Sequence, residues 1–147
     1  MTARLLIAGN GYVLARRADG GGWTELARLA GGAAALLPAA GRIGEAQLEA
    51  AIERAEDWLM PHAAALQGQI LDVHDETGRL AEGLQSADLA GAREWNTEAL
   101  EALFLRLVDR TLGRFASQAD EPAFIAHVLL LRELAHHGKL ARVRLAG

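Results

Sequence analysis

The chain opens with a short apolar run, Arg4–Ala8, broken by Asn10-Gly11 and resumed by Tyr12–Arg17. Asn-Gly between two such runs predicts a hairpin, because a type I′ turn needs positive φ at both central positions. Asp19-Gly20-Gly21-Gly22 marks a second turn, and Trp23–Leu29 follows with Trp23, Leu26 and Leu29 apolar. The pattern predicts a three-stranded antiparallel meander, although TELARLA in the third run also suits a helix. Gly31–Gly44 is mostly Gly, Ala, Leu and Pro. It reads as a packed connector with one short helical turn at Ala33–Leu37.

A period of 3.6 begins at Glu45. Leu48, Ile52, Ala55 and Leu59 form one stripe, so Glu45–Met60 is predicted as a helix. Pro61 should end or kink it after Leu59, and His62–Leu66 reads as a separate turn. Gln69–His74 has the apolar content of a strand. Asp75-Glu76-Thr77-Gly78 has hairpin chemistry, and Arg79–Leu84 is predicted as the return strand. Asn96 or Thr97 caps the next helix, whose apolar face holds Leu100, Leu103, Phe104, Leu107, Val108 and Leu112. Asp120-Glu121-Pro122 starts a third helix that runs to about His137, with Gly138 as its stop. Lys139–Leu145 reads as a closing strand. The expected fold class is α+β: one domain over residues 1–147, with an antiparallel sheet (the N-terminal meander plus a second hairpin) and about three helices packed on it.

Composition agrees with a soluble globular domain: 147 residues, 51% hydrophobic and 23% charged. There is no cysteine, which excludes a disulfide scaffold, a thiolate zinc site and a cysteine nucleophile. The abundance of Ala, Leu and Arg with a single Lys fits a GC-rich bacterial gene. Asn10, Gly11 and Arg16-Arg17 interrupt the N-terminal apolar run too early for a signal peptide. No segment reaches the ~20 apolar residues that span a bilayer. A cytoplasmic protein without membrane contact is therefore expected. The charge is uneven: residues 1–44 carry five Arg against two acids, residues 45–101 three Arg against thirteen acids, and residues 102–147 seven cations against four acids. The acidic middle disfavours nucleic acid, and the asymmetry suits contacts between subunits.

Five features invite a chemical reading. In DVHDETG, Asp72 and His74 would share a strand face, with Asp75 or Glu76 reaching from the turn. Asp72, His74 and Glu76 would suit a divalent metal if His62, His127, His136 or His137 supplied a further ligand. The simpler reading turns Val73 to the core, Asp72 and His74 to water, and makes DETG a turn. His136-His137 lie about 100° apart on a helix and suit its C-terminal dipole. His127 shares a face with Leu131 and Leu134, and reads as a buried histidine bonded to a backbone carbonyl. Gly9-Asn10-Gly11 leads into a strand, not a helix, which excludes a phosphate loop. Ser86 and Ser117, the two serines, lack a nucleophile-elbow context.

The meander followed by a helix resembles the nuclease and sugar-kinase architecture built on a ribonuclease H-like sheet. That resemblance implies an acid on the first strand, and residues 1–18 contain no Asp or Glu. It therefore extends to topology and carries no activity. The third helix is apolar almost all round: Phe124, Val128, Leu131 and Ala135 cover one side, and Ile125 and Leu129 lie opposite, near Arg132 and His136. Such a helix is central or shared with a partner. With few helices to surround it, Ile125, Leu129, Arg132 and His136 are expected to form a two-fold subunit interface. The function expected from these patterns is a non-enzymatic binding or assembly protein. It would be homodimeric, without a cofactor, and open to a further protein partner. The alternative is a small metal-assisted enzyme using Asp72 and His74 with a distant histidine.

Overall fold

The computed structural model of the chain describes residues 2–38, 42–87, 89, 91–113 and 121–146. The N-terminal meander is present: β1 (Thr2–Ala8), β2 (Gly11–Arg17) and β3 (Trp23–Ala30) pair antiparallel. Trp23–Leu29 is thus strand, carried by its pairing with β2, with a bulge where Ala15 pairs Glu25 and Leu14 pairs Ala27. The hairpin turn is Gly9-Asn10, and neither these residues nor Gly11 has positive φ. The type I′ argument is therefore not what makes this hairpin.

The rest of the sheet differs from expectation. β4 (Ile70–Asp75) pairs parallel to β1, and β6 (Arg142–Leu145) parallel to β4; the two-residue β5 (Glu94–Trp95) closes the edge antiparallel to β6. The order is β3-β2-β1-β4-β6-β5, a mixed six-stranded sheet of an α/β fold. An antiparallel sheet with a second hairpin is ruled out. DETG does not turn back into a strand but leads into a helix, α4 (Arg79–Ser86), whose Leu80 and Leu84 are both buried.

The helices number more than the three expected. α1 (Ala33–Leu36) and α2 (Glu45–Leu59) precede a 3-10 turn at Met60–His62 and α3 (Ala63–Leu66), so Pro61 does end the long helix. Asn96 caps α5 (Thr97–Leu112), its Oδ1 accepting from the Ala99 N–H at 2.8 Å. α6 (Pro122–His137) carries proline in its first turn and stops at Gly138. Asp120 and Ser117 lie outside the described residues.

The crossovers from β1 to β4 and from β4 to β6 step in the same direction. Such connections are right-handed almost without exception, so their helices fall on one face of the sheet. Burial follows: Ala3, Leu5, Ile7, Leu71 and Val73 are fully buried, while their neighbours Arg4, Leu6 and Asp72 are half-buried and His74 is exposed. Within the helical layer α6 is central, packed against α1, α2, α4, α5 and β6. This removes the argument that placed Ile125 and Leu129 at a subunit interface. Ile125 is 1% exposed and Leu129 0%, because the additional helices of the same chain cover the apolar surface assigned to a partner. Among the described residues no helix is long and apolar enough to cross a membrane.

Candidate functional site

The parallel strands β1, β4 and β6 end at one edge of the sheet. From that edge the chain leaves β1 toward β2 on one side and leaves β4 toward α4 on the other. Crevices of this kind, outside strand carboxyl ends, are where open α/β sheets bind ligands. A pocket of about 370 Å³ lies here, lined by Arg4, Leu6, His74, Asp75, Glu76 and Ala146. Arg4 and Leu6 share the helix-free face with His74 through the parallel register of β1 and β4. Arg4 is held by stacking, its guanidinium 4.3 Å from the centre of the Trp23 ring, and its Nε is buried with no hydrogen-bond partner among the described residues.

Asp75 organises the loop. The Glu76 N–H extends the ladder by donating to the Ile7 carbonyl at 2.9 Å. Asp75 Oδ1 accepts from the Thr77 N–H at 2.9 Å and the Thr77 hydroxyl at 2.6 Å, and Oδ2 accepts from the Leu80 N–H at 2.8 Å. One carboxylate thus closes the turn and caps α4. Gly78 takes φ 73, the left-handed conformation that the turn requires. Arg79 is fixed by both oxygens of Glu121, at 2.8 and 2.9 Å.

On the helix-covered face, Tyr12 and His127 are buried and joined, phenol to Nδ1, at 2.7 Å. Burial pushes the Tyr12 phenol up, with Asp75 adding to the shift. Burial pushes His127 down to about 4, with Asp75 opposing. Neutral rings let the phenol donate to Nδ1 and place the imidazole proton on Nε2, which is buried without a partner among the described residues. His127 is therefore a buried histidine as expected, but its partner is Tyr12 and not a backbone carbonyl.

The structure separates the residues of the DVHDETG cluster. Asp72 accepts from Arg144 Nε at 2.7 Å, whereas His74 and Glu76 line the pocket. Asp72, His74 and a second histidine do not converge. Among the described residues, Glu56, Glu133 and His137 are the group of three metal-ligating side chains found within 4.8 Å of one another. Of the expected interface set, Ile125 and Leu129 are core, while Arg132 and His136 line a groove of about 500 Å³ with residues of α5, among them Glu101 and Leu105. The sequence reading missed Arg4 and Tyr12. The alternation of Leu5 and Ile7 against Arg4 and Leu6 was the available signal for Arg4.

A meander continued by parallel strands, with helices on one face, defines a mixed α/β fold. Two solved structures share it. The Aquifex aeolicus member of the Ppx/GppA family aligns at a TM-score of 0.59 and 10% identity, over 99% of this chain and 51% of its own. An exopolyphosphatase-like protein aligns at a TM-score of 0.62 and 8% identity, over 99% of this chain and 54% of its own. The chain thus spans about half the length of either neighbour, and at these identities the likeness is one of fold. No family model matches the sequence, and no curated protein matches it. The expectation of a non-enzymatic homodimeric assembly protein does not stand: the fold is shared with structures named for the Ppx/GppA family and as exopolyphosphatase-like, and the apolar helix that argued for a dimer is covered within the chain.

Proposed function

We propose that the chain is a phosphatase-class hydrolase that cleaves a P–O bond of a phosphate anhydride or ester, inorganic polyphosphate among them, in the pocket at the strand carboxyl ends. The observation that carries this reading is the convergence of Arg4, His74 and Glu76 on one pocket of a fold shared with Ppx/GppA and exopolyphosphatase-like structures. Arg4 brings a guanidinium that stacks on Trp23, so its charge is available to a phosphoryl oxygen. Glu76 is exposed at the mouth and would take the proton of the attacking water as its oxygen bonds to phosphorus. His74 would give a proton to the oxygen that leaves when the old P–O bond breaks. Asp75 is a positioning residue: its three hydrogen bonds hold the loop that presents Glu76.

Phosphate release from polyphosphate, a nucleoside triphosphate and an aryl phosphate tests this. The wild-type chain should release phosphate from at least one. Glu76→Gln should lower kcat by about 100-fold or more, the usual contribution of a general base, and Arg4→Gln should mainly raise KM. No release from any of the three, or a Glu76→Gln variant as active as wild type, sinks the reading.

A further inference from the structure

A second constellation lies away from the pocket, where α2 meets α6. Glu56 projects from α2, and Glu133 and His137 sit one turn apart on α6. His137 Nε2 stands 3.0 Å from a Glu133 oxygen and 3.6 Å from a Glu56 oxygen. We propose that Glu56, Glu133 and His137 form a binding site for one first-row transition-metal dication of the zinc class.

The spacing is what one ion requires. Two ligand atoms about 2.1 Å from a shared ion lie about 3.0 Å apart at a right angle and about 3.4 Å apart at the tetrahedral angle. The two distances from Nε2 fall around that range, so small side-chain adjustments bring three donors onto one centre. One imidazole nitrogen with two carboxylates suits zinc, manganese or iron, and three protein ligands leave a position for water. Two packed helices supply a rigid frame. The outer shell is also present: Arg132 Nη1 donates to the remaining Glu133 oxygen at 3.0 Å, and Arg132 Nε is itself held by Glu101 at 2.5 Å. Glu133 is buried, while the side chains of Glu56 and His137 remain 40% and 27% exposed, which leaves an entry path.

A plain ion-pair network is the competing account, and charge counting weighs against it. Glu101 and Glu133 share the Arg132 guanidinium, and Glu56 adds a third carboxylate beside His137. Burial, with Glu56 adding, pushes the Glu133 carboxyl up even with Arg132 beside it, the mark of a site with an excess of negative charge. A dication displacing the imidazole proton removes that excess.

The test titrates purified chain, without a histidine tag, with Zn²⁺ in a calorimeter and records the visible spectrum of a Co²⁺-loaded sample. One ion per chain is expected, with a several-degree rise in Tm on loading. Glu56→Gln, at a half-exposed helix position, should fold normally and weaken Zn²⁺ binding at least 10-fold; His137→Asn should do so too and abolish the Co²⁺ bands. His136→Ala, the neighbouring imidazole outside the trio, should leave both readouts unchanged. Absence of stoichiometric binding overturns the proposal. So does binding that survives Glu56→Gln and His137→Asn, or binding lost with His136→Ala. If His137→Asn does not fold, Glu56→Gln decides alone.

Discussion

His127 shows what burial does to one side chain. The arc it shares with Leu131 and Leu134 makes its burial legible, but the partner that satisfies it, Tyr12, lies 115 positions away and comes to it only through the fold. The energetic consequence is a dependence on pH. The unfolded ring takes a proton as the pH falls through about 6.5, whereas the folded ring resists until about 4. Between those values the unfolded chain binds more protons, so stability is lost as the pH falls through this window, by about 3 kcal/mol at full development. Asp75 is the charged group acting on this ring and opposes the shift only in part. His127→Gln keeps an acceptor for the Tyr12 hydroxyl and cannot titrate. Its Tm should fall less steeply than that of wild type between pH 7 and 4.5, and equal slopes in the two proteins would contradict the account.

At the scale of elements, α4 was the main misreading, and the hairpin chemistry of Asp75-Glu76-Thr77-Gly78 explains it. A short segment after such a turn resembles a return strand that Gly83 only weakens, while the Leu80 and Leu84 spacing, which marks a helix, spans only one turn. Gly83 is in fact where α4 meets Phe124 of α6: a Cβ there would stand 2.1 Å from the Phe124 ring. Alanine gains about 1 kcal/mol over glycine in a free helix. Here the overlap forces the ring or the helix to move, at a cost of about 1–3 kcal/mol. Gly83→Ala should therefore lower stability in urea unfolding by up to about 2 kcal/mol. In a Phe124→Leu background, with the ring gone, the same substitution should be neutral or stabilising. A destabilisation of the same size in both backgrounds would place the cause in the backbone of α4 and not in its packing. The long helices at 45–59 and 97–112 were legible by contrast, because several turns of apolar stripe repeat the same signal.

For the whole molecule, the direction of a strand is not written in its own residues. β4 and β6 have the composition of ordinary strands, and whether they lie parallel to β1 depends on crossovers through helices elsewhere in the chain. The same crossovers decide where the site lies, since they bring the ends of β1, β4 and β6 to one edge. With no acid on β1, it is β4 that places carboxylates there. They also put every crossover helix on one face, which makes α6 central, and this has a measurable consequence. Amides open at a cost set by the burial around them. α6 and the inner strands β1 and β4 should therefore be the last to exchange hydrogen for deuterium, and the edge strands β3 and β5 the first. The comparison also separates two causes of protection for an all-round apolar helix. Protection by a second subunit depends on protein concentration, whereas protection by α1, α2, α4 and α5 of the same chain does not. Exchange in α6 should be slow and unchanged over a 100-fold dilution. Faster α6 exchange on dilution would mean that a partner, and not the chain itself, buries Ile125 and Leu129.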